Sequence, residues 1–225
     1  MLRDTRRDEA YFMDWTARQN KRIAQFSQKL EQFRETDSEK ANQCHLFLSG
    51  LLRDMFYAQY SAGETIESLR ETAAQYLSHL HSLNALNYSQ ALTAFSVGIL
   101  CDIPDKSSFS TGAYPEDQLL NALAYFCRFR TLPQEYTGDS LFPELTDSTV
   151  AFLKGTLSLE DFRTFIRNDW YQANRDEPWY NSDMRNDGTY CGYWCFAGAA
   201  AAVIKGSTQR DFQGVEYFPV DMLPA

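Results

Sequence analysis

The chain has 225 residues, 44% hydrophobic and 15% aromatic, and a formal net charge of −9. That length suits one large domain or two small packed ones, and the apolar content excludes a disordered chain. The acidic balance disfavours nucleic acid and favours basic partners. No apolar window approaches the about 20 residues of a membrane-spanning helix. The N-terminus lacks the apolar run of a signal peptide, so a cytoplasmic protein is expected.

The predicted elements are all helices. Over 8–35, Tyr11, Trp15, Ile23, Phe26, Leu30 and Phe33 recur at helical spacing and mark one apolar face. Asp37 or Ser38 caps a second helix through about residue 60, and Gly63 supplies the left-handed residue after its end. A third helix covers 65–80 and a fourth 89–100, with Leu92, Phe95 and Ile99 in step. Short connections predict that these four form one antiparallel unit. The stretch 102–114, with Pro104 and Gly112, is the candidate linker between an N-terminal domain, 1–110, and a C-terminal domain, 111–225.

Pro115 is placed at a helix start, with Leu119, Leu120, Leu123 and Phe126 facing the core. After a loop over 131–146, a short helix is expected at 148–154. Ser158, three residues before Asp161, caps a helix carrying Phe162, Phe165, Ile166 and Trp170. An Asn-, Asp- and aromatic-rich loop over 174–187 contains Trp179 and Tyr180. It leads into Tyr190–Ile204, an uncharged run with four consecutive alanines at 199–202. A helix apolar on every side is a buried one, so 190–204 is expected to be the most buried element. The expected architecture is an all-α array of about seven to nine helices in two packed halves.

Cys44, Cys101, Cys127, Cys191 and Cys195 are odd in number and lie in apolar surroundings, which reads as buried thiols in a reducing compartment. Cys191 and Cys195 would share a helical face, but His45, His79 and His81 are remote in sequence, so no metal is expected. There is no glycine-rich phosphate loop, no His-Glu-x-x-His and no nucleophile elbow. No catalytic residue and no cofactor are therefore assigned.

The charge is uneven. Residues 1–40 are nearly balanced, whereas 101–150 carry eight acids against three bases. Those acids are Asp102, Asp105, Glu116, Asp117, Glu135, Asp139, Glu144 and Asp147. They are the candidate contacts to a basic partner, with Asp176, Glu177, Asp183 and Asp187 of the 174–187 loop as a second set.

Trp170-Tyr171, Arg175, Trp179-Tyr180, Tyr190-Cys191-Gly192-Tyr193-Trp194, Ala199-Ala200, Tyr217-Phe218-Pro219 and Asp221 follow one another in an order that resembles the C-terminal domain of the PoNi immunity proteins. Arg7-Asp8, Tyr11-Phe12, Tyr60-Ser61-Ala62-Gly63-Glu64, Ile66, Glu67 and Leu69 resemble that family's N-terminal domain. The family usually carries a glutamate soon after the Gly-Tyr-Trp motif, where this chain has Ala197, and no role is assigned to that position. The resemblance implies an antitoxin of PoNe-type DNase toxins, which interbacterial systems such as type VI secretion deliver. Its implied partner is a basic DNase domain, with no nucleic acid and no membrane bound directly. Trp170, Trp179, Tyr180, Gly192, Tyr193 and Trp194 are read as a fold signature. The competing reading is an α-helical enzyme or small-ligand protein built around the aromatic loop near Trp179.

Overall fold

The computed structural model describes residues 1–83, 85–103, 114 and 116–225. These residues form ten α-helices, two 3₁₀ turns and one isolated β-bridge, Asp117 to Asp139, with no strand among them. The protein is all-α, as the periodicities imply. The chain divides into two compact units, one of residues 1–84 with 181–192 and one of residues 85–180 with 193–225.

The first unit is built on α1 (Glu9–Phe33), α2 (Ser38–Ala62) and α3 (Ile66–His81). Each starts where a side chain accepts an N–H of the first turn: Asp8 from Tyr11, Asp37 from Lys40 and Thr65 from Ser68. Phe12, Trp15 and Leu30 bury the apolar stripe of α1, and α2 packs between α1 and α3. Leu30, Cys44 and Leu48 form a cluster with Ile23, Phe26, Phe33 and Ala41 against it. Gln19, buried on the same face, donates from Nε2 to the Leu51 carbonyl at 3.2 Å, so its amide is not stranded in the apolar seam.

α2 ends at Gly63, whose φ of +82° is left-handed. A Cβ there would lie 1.9 Å from the Met1 carbonyl oxygen, so the N-terminal segment can cross only a glycine. Arg3 fastens that segment by donating to the carbonyls of Tyr60 and Glu64 at 3.1 and 2.8 Å. The buried Asp4 carboxylate accepts from the Tyr190 hydroxyl and from the Arg6 N–H. Arg7 donates to the carbonyls of Asp183 and Arg185, Tyr11 to that of Tyr190 and Ser61 to that of Cys191. Of the residues that carry the N-terminal resemblance, Arg7, Tyr11, Tyr60, Ser61, Gly63 and Glu64 therefore help to hold 1–8 and 181–192 against α1 and α2.

The second unit contains α4 (Tyr88–Leu100), α5 (Gln118–Phe129), α6 (Pro143–Lys154), α7 (Leu159–Asn168), α8 (Trp170–Ala173), α9 (Phe196–Ile204) and α10 (Gln209–Phe212). α9 is its hub and packs on α4, α6 and α5. Ala199, Ala200, Ala201 and Ala202 are each 0% exposed, because small side chains let neighbouring helices approach on every side. Phe152 stacks on Phe162 with ring centroids 4.2 Å apart, and Phe212 on Phe218 at 4.0 Å.

Five expectations change. The buried helix begins at Phe196, not near residue 190. Gly192 sits at φ +114°, and the Cys195 N–H is taken by the Tyr217 carbonyl at 2.8 Å, so 190–195 is an irregular approach to the helix. α4 belongs to the second unit, which leaves three helices, not four, in the first. α6 starts at Pro143, five residues before the expected position, because proline is suited to the first helical turn. Trp170 opens a separate one-turn helix after Asp169. Pro115 lies outside the described residues, and the helix it was expected to open starts at Gln118.

Candidate interaction surface

The second unit holds nine Lys and Arg against sixteen Asp and Glu, for a net −7, and the first unit holds a net −2. The acidic candidates of 101–150 all belong to the more charged unit. Asp105 lies outside the described residues. Asp102, Glu116, Glu135, Asp139, Glu144 and Asp147 are exposed.

Asp117 is not available to a partner. It is 0% exposed, and its carboxylate is spent inside the fold. Oδ1 accepts from the Leu120 N–H at 2.9 Å, which caps α5, and from the Tyr88 hydroxyl at 3.3 Å. Oδ2 accepts from the Leu141 N–H at 3.2 Å. Burial first, and the Asp117 charge second, push the Tyr88 phenol well above its ordinary value. The signal for this role was present in the sequence: an Asp directly before the apolar run of a helix is an N-cap.

The buried carboxylate organises the acids around it. The backbone carbonyl of its neighbour Glu116 accepts from the Asp139 N–H at 2.7 Å, and the Asp139 carbonyl accepts from the Gln118 N–H at 3.0 Å. Glu116 and Asp139 are thus brought side by side from 23 residues apart, and Leu141 to Glu144 follow at once. Glu144 pairs with Arg175 at 3.0 Å, and Asp102 with Arg130 at 3.0 Å. Both pairs are exposed, so each holds its carboxylate only weakly. Glu116, Glu135, Asp139 and Asp147 make no ion pair among the described residues.

The second set of acids is not one feature. Asp176 and Glu177 belong to the second unit, whereas Asp183 and Asp187 belong to the first. Asp187 accepts from the Thr189 N–H and hydroxyl, which hold its carboxyl below the usual range.

The aromatic signature packs on itself. Tyr171 stacks on Tyr217 with ring centroids 5.1 Å apart and on Tyr180 at 4.5 Å, and it meets Tyr193 at 5.0 Å. Trp179 lies 5.9 Å from Trp170 and 5.5 Å from Tyr193. Trp170, Tyr193 and Trp194 are buried and Trp179 and Tyr180 half-buried, and Gly192 supplies the positive φ before them. Ala197, in the same run, is half-buried. Burial pushes the Cys195 thiol up to about 12 and the Cys191 thiol higher still, so both pack as neutral thiols. Among the described residues no three His, Cys, Asp or Glu side chains are grouped to hold a metal ion, and no helix is long and apolar enough to cross a membrane.

Two features had no clear sequence signal. His45 of α2 and His79 of α3 face each other with Nδ1 atoms 3.0 Å apart, although 34 residues separate them. Leu141 and Phe142, in a stretch with no helical period, stand half-exposed beside the acids.

Residues 3–110 match the family model described as PoNe immunity protein (PoNi), N-terminal, and residues 115–222 match that of PoNe immunity proteins (PoNi), C-terminal. No curated protein matches the chain. Among solved structures, the crystal structure of protein PA2201 from Pseudomonas aeruginosa is similar at a TM-score of 0.74 and 14% identity, over 98% of this chain and 90% of that one. At that identity the likeness is one of fold.

Proposed function

Because the chain belongs to the family of PoNe immunity proteins (PoNi), we propose that it neutralises a cognate DNase toxin by laying the acidic surface of its second unit over the toxin's DNA-binding cleft. The observation that carries the reading is the pair of family matches, consecutive over 3–110 and 115–222. Charge supports the mode of action. A nuclease that grips phosphates needs a basic cleft, and carboxylates occupying it exclude DNA. Glu116, Glu135, Asp139 and Asp147 are exposed and unpaired among the described residues, and Asp102 and Glu144 have only exposed partners that a cationic surface can displace. Asp105 remains a candidate on sequence alone.

Opposite charge speeds encounter, which matters for intercepting a toxin before it reaches the chromosome. The protein acts by stoichiometric binding, in the cytoplasm of the cell that carries it, against a toxin delivered by a neighbour through a route such as type VI secretion. The test is co-expression with the active cognate nuclease. Reversal of Glu116, Glu135, Asp139 and Asp147 to lysine is expected to abolish protection with the melting temperature unchanged. Full protection by that variant would move the interface elsewhere, first to Asp176 and Glu177.

A further inference from the structure

We infer that the corner formed by residues 139–144 is the apolar centre of this interface, with Leu141 as the anchor seated in a slot on the toxin's cationic face and Phe142 beside it. The inference rests on the immunity reading above and names which residues hold the complex together once charge has brought it together.

Leu141 and Phe142 are consecutive and each 48% exposed. Among the described residues of this unit, the other exposed large hydrophobics, Tyr125 and Phe129, cover one another at 4.6 Å, and the Arg128 guanidinium lies over Phe129. Leu141 and Phe142 are presented differently, on a backbone held at several points. The Leu141 N–H is fixed by Asp117. The Phe142 carbonyl accepts from the Leu145 and Thr146 N–H groups and from the Thr146 hydroxyl, which also bonds Ser140 at 2.6 Å. The Phe142 ring rests on Tyr88 with centroids 4.5 Å apart. Their conformational freedom is already restricted before binding, so ordering them on a partner costs little.

The surroundings select the occupant. Asp139 and its backbone-paired neighbour Glu116 flank one side of the corner, Glu144 follows Phe142 by two residues, and Asp147 stands one turn further along α6. An apolar centre inside a charged rim is the ordinary anatomy of a specific protein interface, and a rim of carboxylates fits a surface rimmed by Lys and Arg. A DNA-binding cleft is such a surface. The rim then sets the association rate and its salt dependence, while the anchor sets the dissociation rate.

The test measures association and dissociation rates of the full-length chain with the catalytically inactivated cognate nuclease domain, at low and high salt. Leu141 is the probe residue, because Phe142 also carries the ring contact to Tyr88. Leu141→Ser is expected to raise the dissociation rate by about tenfold or more, with association rate, salt dependence and melting temperature unchanged. Leu141→Met, which keeps an apolar side chain, is expected to dissociate like the unmodified chain. Asp139→Lys with Asp147→Lys is expected to slow association and flatten its salt dependence. If Leu141→Ser dissociates at the unmodified rate, the anchor is refuted and the immunity reading stands. If the unmodified chain does not bind the nuclease, the immunity reading fails and the anchor with it.

Discussion

Asp117→Ala separates a structural acid from the interface acids around it. The change removes the cap on α5, worth about 1 kcal/mol, and strands the Leu141 N–H and the Tyr88 hydroxyl, at about 1–3 kcal/mol for each unsatisfied group. Removing a buried charge returns some desolvation energy, so the net loss is expected at about 3–5 kcal/mol. For a chain of this size that lowers the melting temperature by about 6–20 °C. Asp117→Asn keeps an oxygen for the Leu120 N–H at 2.9 Å and is expected to lose less than half as much. Asp139→Asn, at an exposed carboxylate without an ion pair among the described residues, is expected to stay within about 0.5 kcal/mol. The assay is thermal unfolding followed by circular dichroism, with the three variants side by side. If Asp117→Ala melts within about 2 °C of the unmodified protein, the three hydrogen bonds do not hold this corner and the reasoning is refuted.

A Cβ at Gly198 would lie 2.8 Å from the Cys195 sulfur, so Gly198→Ala is expected to destabilise by about 1–2 kcal/mol despite alanine's better helix propensity; adding Cys195→Ala is expected to recover most of the loss, and purely additive unfolding energies in that double-mutant cycle would exclude the clash. Burial, followed by the Arg34 charge, lowers the His45 pKa, and burial, followed by His45, lowers that of His79. The unfolded chain therefore binds more protons than the folded one as pH falls through about 6.5, so stability is full above that value and declines below it. Urea midpoints at pH 7.5 and 5.5 are expected to show that decline and to lose part of it in His45→Gln with His79→Gln, whereas an equal decline in the double variant would place the titration elsewhere.

Local chemistry was enough for the helices. The apolar stripe of α1, the caps Asp37 and Ser158, and the Gly63 stop depend on residues within a few positions of one another, and all stand where their pattern puts them. The buried alanines 199–202 follow from composition alone, since an uncharged helix has no solvent face to offer. Chain order and motif identity were likewise legible, because Arg7-Asp8, Gly63 and Gly192-Tyr193-Trp194 serve needs of the backbone that few residue types meet. Tertiary structure decided which of several similar acids face water. Asp117 reads from the sequence as the cap of α5, but nothing near it in the chain tells that its carboxylate is buried while that of Asp139 is not. One is buried because the Leu141 N–H and the Tyr88 hydroxyl, 24 and 29 residues away, converge on it, and the other is left exposed. Tertiary structure likewise divided the 174–187 loop between two units, delayed the start of α9 to Phe196 through the Tyr217 carbonyl, and set Leu141 and Phe142 on the surface. Each of these outcomes depends on partners far away in sequence, and a pattern confined to neighbouring residues carries no record of them.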